Sequence, residues 1–468
     1  MSSLKENKMG TMPIGRLLLT MALPMALSML VQALYNVVDS AFVAKISDVN
    51  QDALNAVSLA FPVQNIMIGI ATGTAVGVNA LLSRALGERD ADMVNRSALN
   101  GVFLAGLGML LSALFGIFCA ELFMRSQTSN EAVIAYGTAY IRIITIASFG
   151  IFGEIMFERL MQSTGRTFYT MITQGVGAIF NIIFDPIFIF TLDMGVTGAA
   201  LATVLGQIVA FVLATVLNHK YNPDVRLSAK GFRPDLRMIG EIYAIGVPSI
   251  IMVCIGSVMT FLMNKILILY TAGKETAATV FGVYFKLNSF IFMPIFGLNN
   301  GIIPIVAYNY GAKNRARMIQ AVKIAAVIAC SVMFVGMLLF LTIPGTLLSL
   351  FDASETMLAI GEPALRIIST SFTFAGVCIV LGSIFQALGH SGYSMIVSFI
   401  RQLVVLVPCA YLLARVGQRV GNDNLVWLSY PIAEVFSLAV TLILFAKLYR
   451  NVIMEVPLHG EENEPANF

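Results

Sequence analysis

At 468 residues, with 58% hydrophobic and 12% charged side chains and a mean hydropathy of +0.84, the chain carries about half the charge of a soluble domain. Most of it cannot face water, which excludes a cytosolic enzyme, a secreted scaffold and a disordered chain. Apolar runs of about twenty residues, in place of barrel-type alternation, exclude a transmembrane β-barrel, and a net charge of +3 gives no reason to expect nucleic acid as a partner. Reading between charge clusters and Pro/Gly breaks predicts twelve helical spans, at 17–42, 54–82, 95–120, 133–160, 168–191, 195–218, 239–270, 277–308, 319–345, 357–388, 393–415 and 424–448. The first is long enough to cross a bilayer and has no small-residue cleavage site behind it, so no cleavable signal peptide is expected. Five cysteines (Cys119, Cys254, Cys330, Cys378, Cys409) stand singly in apolar stretches and read as small core hydrophobes.

Orientation follows from Lys and Arg. With the N-terminus in the cytoplasm, inside segments hold 19 of them and outside loops 5, a clear positive-inside bias that puts both termini in the cytoplasm. The richest basic segment, 219–238, lies mid-chain and carries two prolines and a glycine. It reads as a cytoplasmic linker between a six-span unit at 1–218 and another at 239–450, with a polar tail at 451–468.

The two halves align at an offset of 224 residues. Pro24 meets Pro248, Gly77 meets Gly301 and Gly87 meets Gly311; between 137 and 172, ten of 36 positions are identical without a gap. About three would be expected from ordinary residue frequencies. Six spans is an even number, so both copies share one orientation, the arrangement of a parallel repeat about the membrane normal. The predicted fold is all-α: two six-helix bundles around a central cavity, suited to alternating access.

Ionisable groups inside spans are costly and mark function. Asp39 stands near the outer end of the first span, with Pro24 available as a bend point 15 residues earlier. Gln32, Tyr35, Asn36 and Asp39 share one broad helix face. Asp185 stands in NIIFDPIFIF, with Asn181 one turn before it and Pro186 after it. Two such carboxylates can hold a proton between them. With an amide oxygen from Asn181 and a hydroxyl such as that of Thr203, they can equally hold a bare Na⁺, and the residues do not separate the two ions. The weaker candidates are Glu434, for which a pair with Arg401 or Lys265 is the competing reading, and Glu154 in the fourth span. Arg142 and Arg366 recur at repeat positions and read as structural.

The runs LPMALSMLVQALYNVVDSAFVA, GVNALLSRALGERD and NIIFDPIFIF before GVTGAALAT resemble the MATE (multidrug and toxic compound extrusion) family of cation-coupled exporters, over nearly the whole chain. The first-span Asp and fifth-span Asn-x-x-x-Asp-Pro resemble its DinF-like type. The resemblance implies a coupling site for H⁺ or Na⁺ at Asp39, Asn181, Asp185 and Thr203, with Tyr140 hydrogen-bonding to it. Gln32 and Tyr35, with Asn36 on the same face, would line a substrate cavity, and Pro24 would bend the first span. It also implies an antiporter in the cytoplasmic membrane, active as a monomer, that takes small amphipathic or cationic substrates and needs no cofactor beyond the coupling ion. The seventh and tenth spans lack the acids of the NorM-like branch; in the repeat, Asp39 faces Met263 and Asp185 faces Cys409. A lipid-linked oligosaccharide flippase is the nearest alternative on the same scaffold, but it calls for a strongly basic cavity, whereas only Arg401, Lys265 and Lys286 are available here. A channel needs symmetric charge rings, and a membrane acyltransferase or intramembrane protease needs a histidine in a span; His219, His390 and His459 lie in loops or the tail.

Overall fold

The computed structural model describes residues 7–44, 52–228, 232–351 and 353–457, and every regular element among them is helical. Side chains at 36, 37, 39–41, 43, 44, 54 and 274 fall outside this description, as does Lys230 of the linker. Ten helices are long and apolar enough to cross a membrane, and two bent pairs bring the number to twelve. The chain is an all-helical, multi-pass membrane protein. Large apolar side chains such as Leu111, Val327 and Ile443 point outward, as a lipid solvent requires, while small residues line the seams between helices.

The spans of the first half are Ile14–Ala44, Asp52–Gly87, Ala91–Phe118, the pair Glu131–Ile146 and Phe149–Ser163, Thr167–Pro186 with the π-turn Ile187–Thr191, and Gly195–Tyr221. The second half repeats them. Shifted by 224, the third span becomes the ninth, Arg315–Thr342, end to end. The second becomes the eighth, Lys274–Gly311, to within two residues. The repeat extends to backbone details. Left-handed φ angles occur at Arg89 (58°) and Lys313 (53°), and at Gly165 (84°) and Gly389 (78°). The helix N-caps Asp90 and Asn130 recur as Asn314 and Ser354.

One expectation is corrected. The fourth and tenth spans were expected to run unbroken over 133–160 and 357–388, but they bend by 43° and 50°. At each break the backbone leaves the i, i+4 pattern for i, i+3 bonds, Ser148 N–H to Thr145 O and Thr370 and Ser371 N–H to Ile367 and Ile368 O, and side-chain hydroxyls bond back to carbonyls beside it. Thr145 Oγ1 donates to Ile141 O at 2.6 Å. Thr370 Oγ1 donates to Ile367 O and Ser371 Oγ to Ile368 O, each at 2.7 Å.

The bundles meet along the first span on the eighth and the second span on the seventh. Glycine permits this closeness. A Cβ on Gly87 would lie 2.0 Å from the Tyr308 carbonyl oxygen, and one on Gly311 would lie 2.1 Å from that of Arg84. Tyr308 and Arg84 are themselves 224 apart, so the contact is reciprocal, as in a two-fold interface. The linker is tied down at both ends. Arg166 pairs with Asp224 at 2.6 Å. Asp235 caps the seventh span, Leu236–Tyr270, accepting from the Arg237 and Met238 N–H groups, and pairs with Arg96. The Met238 N–H and then the Arg96 side chain hold the Asp235 carboxyl below its usual range.

Candidate functional site

The fifth span turns Asn181 and Asp185 to one face, a helical turn apart, and the sixth brings Thr203 against them. All three are buried, at 3%, 0% and 5% exposure. With its amide turned so that both ends are satisfied, Asn181 donates to Asp185 Oδ2 at 2.7 Å, and its oxygen accepts from the Thr203 N–H at 3.2 Å. Close packing holds the arrangement: a Cβ on Gly206 would lie 3.0 Å from the Gly177 carbonyl. Pro186 ends the regular helix, and the π-turn Ile187–Thr191 follows.

The side chains of Asp39 and Asn36 lie outside the described residues. The first span nevertheless reaches this place. Phe42, three residues beyond Asp39, meets Phe190 edge-on with ring centroids 6.3 Å apart. Tyr140 is buried in one cluster with Ala200 and Val204, which flank Thr203, and donates to Gln64 Oε1 at 3.3 Å. Gln32 is exposed and Tyr35 partly buried.

A second polar group lies further along the same fifth-span face and was not expected from the sequence. Glu158, 2% exposed, accepts from Thr173 Oγ1 at 2.6 Å and from Gln174 Nε2 at 2.7 Å. The Ser28 hydroxyl of the first span donates to Gln174 Oε1. Arg159 is buried beside Glu158 and donates to Gln162 Oε1 and to Asn300 Oδ1 of the eighth span, both at 2.9 Å. Glu154 is partly buried one turn before Glu158. The available signal was the i, i+4 pair Glu154 and Glu158, obscured because Glu158 adjoins Arg159 near a helix end.

In the second half, Arg401 Nη1 pairs with Glu434 Oε1 at 3.3 Å, so the pairing weighed against a free Glu434 is the one observed. This pair lines a cavity of about 710 Å³ together with Tyr284, Asn288 and Tyr430, closed on one side by Phe61 and Asn65 of the second span. Gln32 and Tyr35 are not among its walls. Lys265 and Lys286 are exposed and lie over the rings of Phe261 and Phe351. Arg142 and Arg366 sit near Glu121 (3.8 Å) and Glu362 (3.7 Å) on half-exposed helix surfaces.

Two repeated helical bundles with carboxylates buried in their spans define a polytopic membrane transporter. The MatE family profile matches residues 24–187 and again 248–412, one copy in each half. The chain therefore belongs to the MatE family, whose members are membrane transporters and not enzymes. It is 27% identical over 440 residues to the multidrug export protein MepA of Staphylococcus aureus (strain MRSA252), covering 92% of this chain and 94% of that protein. Its fold matches a solved MATE structure in the straight conformation with a TM-score of 0.89 at 24% identity, covering 96% and 100% of the two chains. An outward-facing multidrug resistance MATE transporter of the MOP superfamily matches with a TM-score of 0.88 at 23% identity, with the same coverage.

Proposed function

We propose that this chain is a cation-coupled antiporter that exports amphipathic, cationic small molecules across the cytoplasmic membrane by alternating access. The observation that carries this reading is Asp185, fully buried in an apolar span with Asn181 and Thr203 converging on it. A carboxylate taken out of water costs several kcal/mol unless something compensates it. A proton or Na⁺ shared with Asp39, in a DinF-like coupling site, provides that compensation and arrives down its gradient. The membrane potential adds about 2.3 kcal/mol per charge per 100 mV. Ion and substrate must favour different states of the cavity, since a ligand bound equally in both shifts nothing. The units 1–218 and 239–450 are the moving lobes, with the 219–238 linker and both termini at the cytoplasmic face. The full-length relative named as a multidrug exporter supports the substrate breadth. The cavity of about 710 Å³, with one Arg set against one Glu, lacks the basic walls that a lipid-linked oligosaccharide calls for.

The test is uptake of ethidium into proteoliposomes under an imposed pH gradient, a Na⁺ gradient or neither. Uptake driven by one gradient and abolished in Asp185→Asn is expected. Equal uptake by Asp185→Asn and wild type would overturn the coupling site; no gradient-driven uptake by wild type would overturn the antiporter.

A further inference from the structure

Where the first and fifth spans meet at the linker face, three cationic side chains stand around one turn. The two spans pack along their length, and Thr167 Oγ1 donates to Thr20 O at 3.3 Å. Arg16 stands one helical turn before Thr20 on the same face of the first span and is exposed. Lys8 comes from the N-terminal segment and lies on the turn itself: a Cβ on Gly165 would stand 3.0 Å from Lys8 Cε. Arg166 follows, close enough to repel the Lys8 ammonium. Asp224 answers Arg166 at 2.6 Å. Among the described residues, the side chains of Lys8 and Arg16 have no ion pair or hydrogen bond.

The fifth span begins here, at Arg166, without a side-chain cap, so the positive end of its dipole adds to the same field. The fold does not require these charges. In the second half the left-handed glycine recurs, Gly389 at 78° against Gly165 at 84°, yet the repeat partners of Lys8, Arg16 and Arg166 are Phe232, Gly240 and His390. The surroundings select the kind of anion. Leu19 and Leu23 continue the Arg16 face at the next helical positions, and Phe168 flanks them from the fifth span; all three are more than half exposed, at 59%, 55% and 54%. One helix face thus carries a cation at its end and an apolar strip running on into the bilayer. A soluble phosphate has no use for the strip, whereas a phospholipid fills both parts. An ammonium on the headgroup would meet three cations, so a headgroup without an amine fits best.

We infer that this cleft binds the phosphodiester headgroup of an anionic phospholipid, held by Lys8, Arg16 and Arg166, with its acyl chains along Leu19, Leu23 and Phe168. Lys8 belongs to the segment that Arg317 of the second half holds through Met9 O and Met12 O. A phosphate bound here offsets the repulsion between Lys8 and Arg166 and so favours the docked segment and a closed linker face. The inference depends neither on the coupling site nor on what is transported.

The experiment is native mass spectrometry of the full-length protein titrated with phosphatidylglycerol or phosphatidylcholine, with millimolar inorganic phosphate as a third arm. Lys8→Met/Arg16→Gln is expected to weaken phosphatidylglycerol about thirtyfold, the scale of two Lys or Arg contacts with an anionic lipid, and to leave phosphatidylcholine within about twofold. Arg16→Gln alone, at an exposed position, should weaken it about fivefold, which covers a double variant that fails to fold. Lys323→Gln/Arg450→Gln removes two exposed cations from the second half and should bind phosphatidylglycerol like wild type. Phosphatidylglycerol should also raise the thermal midpoint of wild type and not that of Lys8→Met/Arg16→Gln. Unchanged affinity in both first-half variants, or an equal loss in Lys323→Gln/Arg450→Gln, would overturn the site. Displacement of the lipid by inorganic phosphate, or the same rise in midpoint with phosphate alone, would overturn the lipid as its occupant.

Discussion

Asp185 and Asp39 are the residues on which the transport reading turns. Asparagine keeps the size and hydrogen bonding of Asp but cannot exchange a proton or bring a negative charge to Na⁺. Asp39→Asn and Asp185→Asn should insert at wild-type levels yet bring gradient-driven ethidium export down to the leak rate in proteoliposomes. Met263→Ala, at the repeat position of Asp39, should leave coupling intact and change which dyes are exported. Reduced protein levels with wild-type transport per molecule would instead mean that the two acids serve stability. Asn181, Asp185 and Thr203 were legible because a lone acid in a long apolar run is conspicuous and its helical neighbour is fixed by geometry. Glu158 was not. It stands beside Arg159, and a Glu–Arg doublet near a helix end has the pattern of a solvated loop, although both side chains are buried. The pairing of Glu434 with Arg401 could be weighed from the sequence, but the unpaired atoms around it depend on where three separate spans, the eighth, eleventh and twelfth, converge.

At the level of helices, the repeat is the most legible feature, because one set of backbone requirements is written twice. Left-handed positions, caps and helix ends recur at one offset. The breaks near 147 and 371 were hidden, since neither contains the proline or glycine that normally announces one. Inter-bundle closeness gives a direct test. Gly87→Val and Gly311→Val each force a side chain into the opposing backbone, where a Cβ alone would stand 2.0 or 2.1 Å from a carbonyl oxygen. Overpacking in a seam costs about 1–3 kcal/mol and more when backbone must move. Each variant should lower the thermal midpoint in detergent by several degrees and reduce yield. Gly106→Val, where a Cβ meets nothing within 4 Å, should match wild type. Equal midpoints for all three would mean that the bundles separate without cost along this seam.

Across the whole molecule, the linker face is closed by the chain's own N-terminal segment. Asn7 donates to Thr164 O of the first half at 3.1 Å. From the second half, Arg317 donates to Met9 O at 2.9 Å and Met12 O at 2.7 Å, and Asn309 donates to Met9 O at 3.2 Å. The segment thus clasps both bundles. Burial, and then the Arg166 guanidinium, pull the Lys8 ammonium below the usual lysine range. A lysine so held binds protons less readily docked than released, so docking strengthens as pH rises toward its free value of 10.5. Lys8→Met should therefore raise the thermal midpoint at pH 7, and its advantage over wild type should shrink toward pH 10. If transport works by alternating access, this clasp must open in each cycle. Hydrogen bonds from a charged donor contribute about 1.5–3 kcal/mol each, enough to move a two-state balance by tenfold or more. Arg317→Gln should accordingly favour the state open on the linker face. The readout is the labelling rate of a cysteine placed at Asn300, behind the clasp, in right-side-out and inside-out vesicles. Faster labelling from the linker side in Arg317→Gln is expected, with a cysteine at Lys230 first fixing that side as cytoplasmic. Unchanged labelling from both sides would show that the segment is passive packing and that the barrier between states lies in the Gly87 and Gly311 seam.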